Sequence, residues 1–323
     1  MKRLTGSMLA IVLAALVLVA CGGKAEIAQV PVAITEAAQS PSPVLVIDSS
    51  KAEFNEPEAV AFDADGNVYV YDGNILIQVF DPSGALLRTI GGRGTDEGMY
   101  VDVKDMTIGP DGLLYITDAN TCRVTVFKLD GTLVKTFGER GDQPGQFTDI
   151  AGVEFNSKGE IYIAGGEMGY IQVFDKKGNF LRTFGQPGED EGQFVEPGSI
   201  AIDSADRIYV QDGERGKILL FDADGTFIRE FGESGDAPDQ FAGDIEALAL
   251  DAFDRLYVVD QDGNFIKVFD QDGNFLANLC GEGSEPGQLD KPQGIAIDLI
   301  RGYFVVSEEE TNRVQVFNLA DLK

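Results

Sequence analysis

Apolar and polar residues alternate along this chain in short runs, and the runs recur at a fixed spacing. From Glu160 to Gly185 the order is Ile161-Tyr-Ile-Ala164, a glycine-rich stretch, Ile171-Gln-Val-Phe174, a polar turn and Phe180-Leu-Arg-Thr-Phe184. Alternation with period two marks a strand with one buried face. The fixed point is Phe174, which recurs as Phe80, Phe127, Phe221, Phe269 and Phe317, in steps of 47, 47, 47, 48 and 48 residues. Most copies follow an aliphatic pair two residues apart, as Val124/Val126 or Ile266/Val268. Self-similarity at this period, with several short strands per unit, predicts a β-propeller. Six phenylalanines predict six blades, each a four-stranded antiparallel sheet.

In the first copy the four strands are predicted at Ala59–Phe62 (a), Val68–Tyr71 (b), Ile75–Phe80 (c) and Ala85–Ile90 (d). Short turns join them: Asp63-Ala-Asp-Gly66, Asp81-Pro-Ser-Gly84, and in later copies Asp175-Lys-Lys-Gly178 and Asp270-Gln-Asp-Gly273. Asp bonds the turn backbone and Gly supplies a positive φ at its end. Strand a is the one predicted to line the channel where the blades converge. Its fifth position reads Ala61, Thr107, Glu154, Ala201, Ala249 and Ala296. Small residues suit the crowding there. Glu154 breaks the series, and a carboxyl so placed needs partners, water or a proton.

The ring has an expected closure. The last repeat supplies strands a to c (Gly294–Ile297, Tyr303–Val306 and Val314–Phe317) and then ends at Lys323. Pro43-Val-Leu-Val-Ile-Asp48 stands before the first complete repeat with nothing ahead of it to pair with. Phe54-Asn-Glu-Pro57 matches Phe194-Val-Glu-Pro197 between blades three and four. Residues 44 to 57 thus read as the tail of a repeat moved to the front, with Val44–Ile47 pairing antiparallel to Val314–Phe317. Closure of this kind removes an open sheet edge.

Strand b ends in an acid in five copies: Asp72, Asp118, Asp212, Asp260 and Glu308, with Gly165 in blade three. Two readings stay open. The acids bond the b–c turn amides or a base of their own blade (Arg123, Arg313, Lys217), or they ring one mouth of the channel as a binding surface. Blade three also replaces the acid-and-base turn with Gly165-Gly-Glu-Met168-Gly-Tyr170. Met168 and Tyr170 are candidate binding residues on the b–c and d–a face, or else packing for the blade edge.

Composition narrows the partners. With 25 Lys and Arg against 54 Asp and Glu, the net charge is −29. Nucleic-acid binding rests on neutralised phosphates, so no nucleic-acid partner is expected. The same charge resists adsorption to anionic lipid headgroups. The N-terminus changes the picture. Lys2 and Arg3 precede an apolar run from Met8 to Val19, of signal-peptide length and too short for a stable span. Leu18-Val-Ala-Cys21 resembles the lipobox of bacterial lipoproteins. That resemblance implies cleavage before Cys21, a lipid on its sulfur and acylation of the new amine. Loss of Lys2 and Arg3 would take the charge from −29 to −31. Several acyl chains anchor a protein stably where one does not. Gly22 after the cysteine implies the outer membrane in a Gram-negative host. Residues 1–20 are then a lipoprotein signal peptide, 21–43 a tether carrying Pro31, Pro41 and Pro43, and 44–323 the propeller. The expected place is extracytoplasmic, held to the membrane only by its lipid.

After strand d the copies read Phe137-Gly-Glu-Arg-Gly141, Phe184-Gly-Gln-Pro-Gly188 and Phe231-Gly-Glu-Ser-Gly235. Gln143-Pro-Gly-Gln-Phe147 and Pro292-Gln-Gly-Ile-Ala-Ile-Asp298 belong to the same pattern. Over residues 44–323 the chain resembles the NHL-repeat family. The likeness implies a propeller and leaves function open, since such domains bind proteins or RNA, sense, or catalyse.

Chemistry is sparse. There is no histidine, which removes His-based triads, histidine metal sites and histidine general bases. Cys122 and Cys280 fall on opposite blades, too far apart for a disulfide, so two free thiols are expected. Asp63-Ala-Asp-Gly-Asn67 and Asp270-Gln-Asp-Gly-Asn274 begin like calcium loops but lack the acid at position twelve, and hairpin turns explain them. The expected function is a monomeric, non-enzymatic scaffold without cofactor, binding an envelope or secreted protein or a small ligand. The alternative is a calcium-dependent hydrolase. The chain is similar in fold to lactonase-type propellers, which hold Ca²⁺ in the channel with acidic residues. That likeness implies Glu154 and Glu58 as metal ligands.

Overall fold

The computed structural model describes residues 40–73 and 76–322. The expected signal peptide, the expected lipid-bearing Cys21 and the expected tether up to residue 39 lie outside the described residues, as does Ile75 of the predicted strand c. Six four-stranded antiparallel sheets follow one another, the chain moving from strand a to strand d within the first five and from strand a to strand c in the sixth. Strand a spans Pro57–Phe62, Val103–Ile108, Val153–Phe155, Pro197–Ile202, Ile245–Leu250 and Pro292–Asp298 in blades one to six. Strand b spans Val68–Asp72, Leu113–Asp118, Ile161–Ala164, Ile208–Asp212, Leu256–Asp260 and Tyr303–Glu308.

All six repeat phenylalanines are buried, and their packing explains why the repeat holds a ring together. The last aromatic of strand d reaches the next blade's anchor. Phe137 meets Phe174 at 5.4 Å between ring centroids, Phe184 meets Phe221 at 5.3 Å and Phe231 meets Phe269 at 5.5 Å. The d–a loop adds a second ring: Phe147 on Phe174, Phe194 on Phe221 and Phe241 on Phe269. At these three junctions one blade completes the core of the next, and such stacked, tilted or edge-on pairs add about 0.5–1.5 kcal/mol beyond the buried area. The c–d turn makes the approach possible. Gly178 has φ +87°, and a Cβ there would stand 2.6 Å from the Phe137 ring.

Ring closure follows the displaced repeat. Leu45, Val46 and Ile47 pair antiparallel with Val316, Gln315 and Val314. Blade six is therefore built from both ends of the propeller, with the N-terminal strand in the place of strand d. The boundary of the tether shifts slightly: Pro41 is already buried, and Ser40 Oγ donates to the Cys280 carbonyl (3.3 Å). Cys122 and Cys280 are buried free thiols.

The aspartate turns are closed by their own backbone. Asp63 Oδ1 accepts the amides of Asp65 and Asn67, both at 2.9 Å, and its Oδ2 accepts Asn67 Nδ2 (2.7 Å). Asp270 does the same with Asp272 and Asn274. These are hairpin turns, with their carboxylates engaged locally.

Candidate functional site: the central channel

Strand a is the innermost strand of every blade, and the six copies enclose a channel of about 880 Å³. The ladder to strand b fixes which residues share a level. Tyr69, Tyr115, Tyr162, Tyr209 and Tyr257 stand opposite Ala61, Thr107, Glu154, Ala201 and Ala249, and Val305 stands opposite Ala296. The predicted fifth-position ring is therefore real, with Glu154 as its one acid.

Three levels follow from that register. The outermost, at the second position of strand a, holds Glu58, Lys104 and Glu246 beside Ala151, Gly198 and Gln293. Glu309 joins them from the b–c turn of blade six, accepting Gln293 Nε2 at 2.7 Å. This mouth lies on the face of the b–c and d–a loops. Lys104 pairs with Asp102 at 3.0 Å. Burial pulls the Lys104 ammonium down, but Asp102 and then Glu58 more than offset this, and its pKa ends above the ordinary lysine value. Burial pushes Glu58 up to about 7 against the opposing pull of Lys104. Glu246 also rises to about 7, by burial and then by Asp244, Glu309 and Asp262.

The next level carries Ala59, Asp105, Gly152, Ser199, Ala247 and Gly294, and here the blades are latched. Asp105 Oδ2 accepts the Val153 amide of blade three (2.9 Å), while Oδ1 accepts its own neighbour Met106 (2.8 Å). Ser199 Oγ accepts the Leu248 amide of blade five (3.0 Å). Burial raises Asp105 to about 6, opposed by those two amides.

Deepest is Glu154. Its Oε1 accepts the Phe155 amide at 2.7 Å. Burial pushes its carboxyl up to about 8, with the Phe155 bond opposing and the nearby Asp105 charge adding. Glu154 and Glu58 occupy different levels of the channel. Among the described residues, no three His, Cys, Asp or Glu side chains converge as a metal-binding group.

The strand b acids take a structural place. Asp72, Asp118, Asp212, Asp260 and Glu308 are fully buried, and none lines the channel. Each holds the d–a loop that enters its blade. Asp72 accepts Asn55 N (3.2 Å), Asp118 accepts Val101 N and Asp102 N (3.0 and 3.1 Å), and Asp212 accepts Val195 N and Glu196 N (3.0 and 3.1 Å). Asp260 accepts Ala242 N (3.2 Å) and pairs with Lys267 (3.3 Å), and Glu308 accepts Asp290 N (3.1 Å). Arg313 does pair with Glu308, through Nε at 2.8 Å. Arg123 instead donates to the Thr95 carbonyl (3.2 Å). The reading of these acids as an exposed ring at a channel mouth is corrected: loop amides left unsatisfied by the sheets draw the carboxylates inward.

Met168 and Tyr170 are likewise not free hydrophobes. Gly166–Met168 forms a short 3₁₀ turn, and both side chains are half-buried. Met168 Sδ lies 3.2 Å from the Thr148 amide and 3.5 Å from the Tyr170 hydroxyl, and Met168 packs on the cluster of Cys122 and Phe147. Asp105, Glu246 and Gln293 are channel residues that sequence reasoning missed.

Known proteins agree with this architecture. A family model described as a 6-bladed beta-propeller matches residues 155–234. A structural genomics protein of unknown function from Bacteroides thetaiotaomicron superposes with a TM-score of 0.66 at 14% identity, covering 88% of this chain and 74% of that one. A streptogramin B lyase superposes at 0.57 with 15% identity, covering 85% and 86%. A catalytically inactive virginiamycin B lyase from Staphylococcus aureus, bound to quinupristin, gives 0.55 at 15% identity, covering 82% and 84%. The chain is a six-bladed β-propeller. At these identities the likeness carries the fold and nothing further. No curated protein sequence matches it significantly.

Proposed function

We propose that this propeller is a lipid-anchored, extracytoplasmic scaffold that binds a small ligand or a protein through its central channel and the mouth at the b–c and d–a face, without catalysing a reaction on it. The observation that carries this reading is the channel itself. It is large enough for an ordinary small-molecule ligand, and its polar groups are dispersed along its length, from Glu58, Lys104 and Glu246 at one mouth through Asp105 and Glu154 to Asn156, Asp203, Asp251 and Asp254 toward the a–b turns, rather than set as a nucleophile, a base and an orienting group. The lyase neighbour bound to quinupristin was inactivated by replacing one histidine with alanine, and this chain contains no histidine. The same chemistry is therefore not available to it. The lipobox-like Leu18–Cys21 and the NHL-like repeats support an anchored propeller at the cell envelope, acting as a monomer.

The reading is tested by melting the protein with a small-molecule extract of the producing cell's envelope, beside an Ala249→Phe variant whose ring plugs the channel. The extract is expected to raise the melting temperature of the wild type and leave the plugged protein unchanged. No shift in either, or equal shifts in both, would overturn the channel as the binding site. Anchoring is tested separately: Cys21→Ser is expected to move the protein from the membrane to the soluble fraction.

A further inference from the structure

Glu154 is half-buried, with its carboxyl facing the channel. Oε1 takes the Phe155 amide, and Oε2 has no hydrogen-bond partner among the described residues. Asp105, the acid facing it from blade two, has both oxygens engaged by backbone amides. The innermost strand of blade four brings Gly198, Ser199 and Ala201, none of them charged. Tyr162, opposite Glu154 in the ladder, accepts a hydrogen bond from Arg182 Nη2 at 2.7 Å, so that guanidinium is held at the tyrosine. Lys104 is the one cation among the residues lining the channel. It sits three positions nearer the mouth, about 10 Å along a strand, and is already paired with Asp102. Around Glu154 the same level offers Ala61, Thr107, Ala201, Ala249 and Ala296, a narrow and mainly apolar collar.

We infer that the channel takes an amphipathic amine, its ammonium group paired with Glu154 Oε2 and its hydrocarbon body held by the collar of Ala61, Ala201, Ala249 and Ala296. This rests on the channel being the binding site, as proposed above. The ligand supplies the cation that the wall lacks at this level, and it covers the carboxyl while pairing with it. The protein's net charge of −29 favours entry of a cation over an anion. Pairing has a proton consequence. Burial holds the carboxyl near 8, so at pH 7 it is mostly protonated, and a bound ammonium lowers it and releases a proton to solvent.

The test compares hexylammonium, hexanol and hexanoate at pH 7, by melting and by calorimetry in two buffers of different ionisation enthalpy. Hexylammonium is expected to bind at least ~10-fold more tightly than hexanol, with proton release visible as a buffer-dependent heat, and hexanoate not at all. Glu154→Gln should fold as the wild type does and lose both the amine preference and the proton release. Equal binding of hexanol and hexylammonium, or an unchanged preference in Glu154→Gln, would overturn the inference. If the envelope extract still stabilises the wild type but not Ala249→Phe, the channel reading survives that failure. If the extract effect is absent as well, both fall.

Discussion

The amide of Val153 in blade three donates to Asp105 Oδ2 in blade two across 2.9 Å, tying neighbouring blades from inside the channel. The other oxygen of Asp105 holds Met106. Removing the carboxylate leaves two amides short of an acceptor. Asp105→Ala is expected to lower stability by about 2–4 kcal/mol, and Asp105→Asn, which keeps one acceptor, by less. Denaturant unfolding measures both; equal stability of Asp105→Ala and wild type would show that the latch contributes nothing.

The fold was readable because one large residue, Phe174, recurs at a spacing that only a ring of blades explains. Phe174, Phe221 and Phe269 each meet the last aromatic of the preceding blade's strand d, so there the repeat and the packing are one fact. Glu154 was readable in the same way, as an acid where five other blades place Ala or Thr. Asp105 was open to the same logic, standing among Ala59, Gly152, Ser199, Ala247 and Gly294, yet its latch to Val153 spans 48 residues and no local pattern points to it. Glu246 and Gln293 align with Glu58 only once the ladders set the register. The five strand b acids were visible, but their role was not. Each holds a loop amide some 16–18 residues upstream, a pairing that exists only after the blade has folded.

Glu154 makes stability depend on pH in a stated direction. Its carboxyl rises from an ordinary 4.5 to about 8 in the folded chain. The folded state therefore holds this proton more tightly than the unfolded state. The stabilisation is fully present below about pH 4.5 and is lost as pH rises to about 8. The melting temperature should fall between pH 5 and pH 9, and Glu154→Gln should flatten part of that slope, the rest belonging to Glu58, Glu246 and Asp105, which burial also raises. A wild-type profile parallel to that of Glu154→Gln would contradict the placement of this acid in the channel wall.

Blade six contains a buried ion pair, Arg313 with Glu308, and Gln315 Nε2 donates to the same acid at 2.7 Å. Arg313→Ala leaves a buried carboxylate without its cation and is expected to cost about 3–5 kcal/mol. Replacing both, as Arg313→Met with Glu308→Gln, should recover part of that loss. Denaturation of the three variants checks the order.

The N-terminal strand closes the ring through three residue pairs. A chain beginning at Ser40 should melt within a degree or two of a chain beginning at Cys21. A chain beginning at Ser49 should melt well below both and aggregate, because blade six then exposes the edge of Arg313–Asn318. Equal melting temperatures for the two truncations would show that the strand does not hold the ring shut.

Binding without catalysis is the central claim, and calcium separates it most directly from a lactonase-type hydrolase. The wild type and Glu154→Gln are melted with and without millimolar CaCl₂, and both are assayed against a panel of lactones with the metal present. With Glu58, Asp105 and Glu154 on separate levels, the predicted result is no calcium-dependent shift and no lactone hydrolysis above the protein-free rate. A rise of several degrees with calcium, abolished in Glu154→Gln and accompanied by lactone turnover, would contradict the account.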